Sequence, residues 1–74
     1  MPDAAQVAFG DRVRHHRKHL GISQEKLGEL SGLHRTYIGH VERGEVNPTL
    51  SSIVRLADAL EVDAGVLTAG LTAR

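Results

Sequence analysis

The chain has 74 residues, 41% of them apolar and 24% charged, and its nine basic and nine acidic side chains cancel to a net charge of zero. A chain this short makes one domain and buries only ~60% of the surface it exposes when unfolded, which excludes a multi-layered enzyme core; its ordinary composition excludes disordered and collagen-like polymers. With no cysteine, disulfide frameworks and thiolate metal sites are excluded, and the fold must hold by packing alone.

In chain order the apolar residues repeat with helical period, and glycine and proline break them into short segments. The first segment predicts a helix from Ala4 to His19, with Phe9, Val13 and Leu20 as its apolar set, Arg12, Arg14 and Lys18 outward, and Gly21 ending it. Ser23 can cap a second helix with Glu25 in its first turn, Leu27 and Leu30 inward and Gly32 closing it. A third helix is expected from His34 to Arg43, inward through Ile38 and Val41 and stopped by Gly44. Asn47-Pro48-Thr49 reads as a turn that delivers Thr49 as the next cap. Leu50, Ile53, Leu56, Ala57 and Leu60 then form an apolar stripe, and Asp63 opens a last short helix carrying Val66 and Leu67, with a fraying tail after Gly70. The reading is all-α, one domain over residues 1–74 with a core from about 9 to 67, and no linker or repeat.

Location and charge narrow the function classes. No apolar run approaches the ~18 residues of a membrane helix, and Met1 to Gly10 lacks the basic and apolar regions of a secretion signal, so a cytoplasmic protein without a membrane partner is expected. Phe9 and Tyr37 are the only aromatic residues of the Phe, Tyr and Trp class, too few for a platform on which bases stack. The zero net charge hides a split: residues 1–43 carry seven basic against five acidic side chains and all five histidines, whereas residues 44–74 carry two basic against four acidic. An anion-seeking face and a merely solvated surface both fit this asymmetry.

The middle of the series is more specific than amphipathic helices in general. Two short helices joined by about three residues around Gly32 have the arrangement of a helix-turn-helix. Ser23-Gln24-Glu25 opening the second helix and Glu42-Arg43-Gly44 closing the third resemble the pattern of the phage repressor and Cro (XRE) family, and the likeness runs from Phe9 to about Leu67. The resemblance implies a compact five-helix lambda-repressor-like DNA-binding domain with a central helix-turn-helix. The segment Leu33 to Ile38, with Glu42-Arg43-Gly44 and Asn47-Pro48, is most similar to restriction-modification controller proteins.

With Ile38 and Val41 facing inward, Arg35 and Thr36 fall in the first turn of the third helix, where a helix entering the major groove reads bases. Arginine can grip guanine O6 and N7 with two donors, and threonine offers a hydroxyl and a methyl. The resemblance assigns Arg35, Thr36 and His40 to base reading, and Gln24, Arg17, Arg43, Asn47 and Thr49 to the DNA backbone. It also pairs Arg17 with Glu42 in a partly buried ion pair that sets the interhelical angle. Each residue has a plainer reading: Arg35 and His40 as solvated surface, Gln24 as a first-turn helix residue, and Tyr37 as a half-buried packing residue. Departures from the family pattern carry expectations too. His34 replaces the usual Ser, Thr or Asp cap and predicts a weak helix start. Gly39 loosens the third helix by ~1 kcal/mol relative to alanine, and Glu61 in place of glycine predicts a fourth helix without a left-handed cap.

His15 and His19 stand four apart on one helical face beside His16, but two ligands do not make a site. No metal, cofactor or small-molecule ligand is expected, and no nucleophile turn or phosphate-cradling loop indicates an enzyme. The expected function is therefore a sequence-specific transcriptional regulator that binds double-stranded DNA at a pseudo-palindromic operator as a homodimer, since one short helix reads too few base pairs to be selective. It is expected to be a restriction-modification controller, with RNA polymerase a further partner. An antitoxin, a phage-type repressor and a protein-interaction module of the same fold remain open as alternatives. The dimer interface is expected over Val62 to Leu71, through Val66, Leu67 and Leu71, although core packing accounts for the same residues.

Overall fold

The computed structural model describes residues 3–73; Arg74, counted above in the charge of the second half and in the tail, lies outside them with Met1 and Pro2. Five helices follow one another: α1 (Ala4–His19), α2 (Gln24–Ser31), α3 (Arg35–Glu42), α4 (Leu50–Leu60) and α5 (Ala64–Thr68). No strand occurs among the described residues. The first turn of a helix leaves N–H groups without internal partners, and side-chain acceptors take them up. Asp3 accepts from Gln6 in a reciprocal capping box, Ser23 from Lys26, Thr49 from Ser52 and Asp63 from Gly65. His34 does the same for α3: its Nδ1 accepts the Thr36 N–H at 3.0 Å. The weak start expected there is therefore corrected, because a neutral imidazole with its proton on Nε2 supplies the acceptor that serine would.

The end of α4 corrects a second expectation. Glu61 adopts the left-handed conformation, with φ 61° and ψ 38°, and the Val62 N–H closes on the Ala57 carbonyl at 3.0 Å. The left-handed cap forms on a residue whose Cβ disfavours it, at a cost on the order of 1 kcal/mol. Glu61→Gly is accordingly expected to raise stability by up to about 1 kcal/mol, seen as a higher urea midpoint at unchanged slope. A lower midpoint would mean that the Glu61 side chain stabilises the turn by more than its backbone strain costs.

Every helix contributes to one core, through Phe9 and Val13, Leu27, Ile38 and Val41, Leu56 and Leu60, and Leu67. Not every apolar residue joins it. Leu20 is 38%, Leu30 52% and Leu50 76% exposed. The buried face of α2 is set by Leu27, Gly28 and Ser31; at 100° per residue Leu30 lies roughly 100° round the helix from its centre. Leu20 falls past the end of α1 and Leu50 is the first residue of α4, both beyond the reach of the core.

Leu67 corrects the expected dimer interface. It is fully buried inside the protomer, because α5 folds back on α1 and α4 and is held by Arg12, whose Nη1 donates to the Leu67 and Ala69 carbonyls at 3.2 and 2.7 Å. A side chain with no free surface cannot meet a second protomer. Val66 stays 44% exposed, and Leu71 is half-buried against the core.

Candidate nucleic-acid interface

Two glycines bring α2 and α3 together. Gly32 ends α2 in the left-handed region at φ 75°, which lets the chain reverse within three residues. A Cβ on Gly28 would sit 2.6 Å from the Leu33 carbonyl oxygen, so the turn packs directly on the α2 backbone. The turn leaves the first residues of α3 uncovered: Arg35 and Thr36 are exposed, while Ile38 and Val41 behind them are fully buried.

Periodicity gives the rest of the α3 surface. Thr36, His40 and Arg43 stand four and three residues apart, and so form a stripe opposite the buried face of Ile38, Val41 and Glu42. Arg43 folds back over Gly39, where an added Cβ would lie 3.1 Å from its Nη1. Gly39 is thus buried beneath a guanidinium rather than on an open face of α3. The stripe is tied together by Glu45, whose Oε1 lies 2.8 Å from His40 Nδ1 and accepts from Arg43 Nε at 3.1 Å. The hydrogen bond with His40 and then that from Arg43 hold the Glu45 carboxyl below the ordinary carboxylate value. Arg35, about 100° round the helix from this stripe, is exposed at the first turn of α3, its Nη1 donating to Glu25 Oε2 of α2 at 2.8 Å.

Behind this surface lies the ion pair implied by the resemblance. Arg17 Nε donates to Glu42 Oε2 at 2.6 Å and its Nη2 to Oε1 at 3.0 Å, in the two-pronged geometry that arginine and carboxylate favour. Nη1 donates to the Ile22 carbonyl at 2.9 Å. Hydrogen bonding to Glu42 raises the Arg17 pKa further above its usual value, against the opposing effect of burial. Gln24 joins the group, donating from Nε2 to Glu42 Oε1 at 3.1 Å, so a single carboxylate links α1, α2 and α3.

The residues named for DNA contact therefore fall into two sets. Thr36, His40 and Arg43 share the outer side of α3, and Arg35 is exposed at its first turn. Asn47 is exposed in the α3–α4 loop. Gln24 is half-buried at the start of α2, and the Thr49 hydroxyl is engaged in capping α4, where it also donates to Ser52 Oγ at 3.1 Å. Arg17 is not brought to this surface: its side chain is 11% exposed and all three of its nitrogens are engaged. The contacts by which Glu25 and Glu45 clasp the exposed cations carry no local sequence signal, since their partners lie across a turn or on another helix. Away from the stripe, the His15 and His16 rings stand edge to face at 5.1 Å. No group of three His, Cys, Asp or Glu residues that could hold a metal occurs among the described residues.

Two short helices joined by a tight turn, the second presenting an uncovered polar stripe, define a helix-turn-helix protein of the kind that places its second helix against DNA. The chain belongs to the helix-turn-helix family HTH_3, of XRE type, whose model matches residues 13–67. That family comprises DNA-binding transcriptional regulators and is not a class of enzymes. The chain is 52% identical to the control protein C.SmaI of Serratia marcescens over 67 residues, covering 81% of this chain and 79% of that one. Among solved structures, the restriction-modification controller protein C.AhdI of Aeromonas hydrophila superposes with a TM-score of 0.84 at 48% identity, covering 86% of this chain and 97% of that one. The P22 c2 repressor protein, in complex with a synthetic operator, superposes with a TM-score of 0.78 at 34% identity, covering 84% and 94%. No helix among the described residues is long and apolar enough to cross a membrane.

Proposed function

We propose that this protein is a cytoplasmic restriction-modification controller that binds a pseudo-palindromic operator as a homodimer and acts on transcription through promoter DNA, with RNA polymerase its second partner. Arg35, Thr36 and His40 read base edges, and Arg43, Gln24, Asn47 and Thr49 position the protein on the backbone. The observation that carries this reading is the uncovered first turn of α3, where Arg35 and Thr36 are exposed beside a core that holds Ile38 and Val41. The likeness to C.SmaI and C.AhdI supports the controller assignment. Selectivity supports the dimer, since each correct base pair adds only ~1–3 kcal/mol of discrimination and one short helix spans few of them. Val66 and Leu71 are left as apolar candidates for the subunit contact, with half-sites spaced at about 34 Å, one turn of DNA.

Because the net charge is zero, contact with phosphates has to come from the local surface rather than from the field of the whole molecule. Affinity for random-sequence DNA is expected to fall with salt at a log–log slope of about −0.9 for every phosphate neutralised, measured by fluorescence anisotropy on a labelled duplex. A flat dependence would contradict DNA binding and favour the protein-interaction reading.

A further inference from the structure

We infer that Glu25 is a specificity-determining positioning residue, anchoring one side of the Arg35 guanidinium so that the other is held ready for a guanine edge. The inference rests on the reading of Arg35 as a base contact given above. The contact joins the first turn of α2 to the first turn of α3 across ten residues of chain, with Arg35 Nη1 donating to Glu25 Oε2 at 2.8 Å.

Arginine has five N–H donors in a planar fork. Using Nη1 leaves the Nε–Nη2 edge, two parallel donors with no partner among the described residues, which suits the paired O6 and N7 acceptors of guanine. Both side chains are about two-thirds exposed, at 65% and 64%, so water screens the pair and it adds little to stability. Its consequence lies in recognition. A long side chain already held in place loses less freedom when it meets a base. A carboxylate beside it also repels phosphate oxygens, which steers the guanidinium from sequence-independent contacts towards base edges. As a first-turn residue Glu25 also suits the positive end of α2. That role alone would affect melting and leave base preference untouched.

Glu25→Gln keeps the size and removes the charge. The test compares the full chain, Glu25→Gln, Arg35→Ala and the double variant. Each is titrated with an operator selected from random DNA, with the same duplex altered at the guanine assigned to Arg35, and with random-sequence DNA, and each is melted alone. Glu25→Gln is expected to lower the melting temperature only slightly, through the lost charge at the start of α2, to lower the operator-to-altered affinity ratio by up to about fivefold, and to bind random DNA more tightly. In the Arg35→Ala background the same change should leave the ratio unmoved. An unchanged ratio in Glu25→Gln, alongside a reduced one in Arg35→Ala, overturns the positioning role; so does an equal fall in both backgrounds. An unchanged ratio in Arg35→Ala itself overturns the base-contact reading instead.

Discussion

Glu42→Ala is expected to destabilise the fold by ~3–5 kcal/mol, the usual consequence of removing one member of a buried ion pair. The Glu42 side chain is 3% exposed and accepts from Arg17 through both oxygens and from Gln24 through one. Without it, a guanidinium that is 11% exposed stays inside the protein with only the Ile22 carbonyl as partner. The double variant Arg17→Met/Glu42→Leu removes both charges and fills the space, so it should be clearly more stable than Glu42→Ala, because desolvation of the native pair offsets most of its attraction. Urea unfolding of the three proteins at one fixed concentration checks this, as any self-association makes stability depend on concentration. Equal loss in the single and double variants would show that the pair does not act as a unit. The same carboxylate links the helix that presents the stripe to the two helices behind it, so Glu42→Ala should weaken DNA binding at temperatures where it is still folded.

Arg35→Ala should leave stability nearly unchanged and reduce operator affinity by ~1–3 kcal/mol, roughly 5- to 160-fold. The side chain is 65% exposed and its sole partner among the described residues is Glu25, so truncation opens no cavity. The loss should appear on the operator and be small on random DNA, since a two-pronged contact to guanine is made only where guanine is present. Gln24 gives a different pattern. As a backbone contact it would weaken every sequence alike, but Nε2 also satisfies Glu42, so Gln24→Ala should lower stability as well. Comparing melting with titration separates the two residues: an Arg35→Ala protein that melts early would place this arginine in the fold rather than in recognition.

The five helices were legible in the sequence because their breaks are local. Gly21, Gly32 and Gly44 all take positive φ at the breaks they mark, and α1 has the bounds its apolar spacing predicts. Caps at Ser23, Thr49 and Asp63 follow from the same short-range chemistry. What was not legible depends on how distant segments meet. Leu67 could be read as surplus apolar surface because nothing local shows α5 docking through Arg12, 55 residues earlier. Glu25 looked like an ordinary first-turn residue, since its contact with Arg35 exists only once α2 and α3 cross at the angle that Gly28 permits. Arg17 and Glu42 were paired by resemblance, whereas the third member, Gln24, appears only in the structure. At Glu61 the sequence rule is sound in direction, yet the turn into α5 imposes a backbone that propensity disfavours.

Sequence-specific regulation by this protein requires that the leading turn of α3 touch base edges. Selecting bound sites from a pool of random duplexes, with the native chain and Arg35→Ala side by side, tests this most directly. The native chain should enrich an inverted repeat, and Arg35→Ala should enrich the same repeat with preference lost at one position in each half. If Arg35→Ala instead selected the identical site with every preference intact, however weakly it bound, direct reading of bases by this arginine would be contradicted.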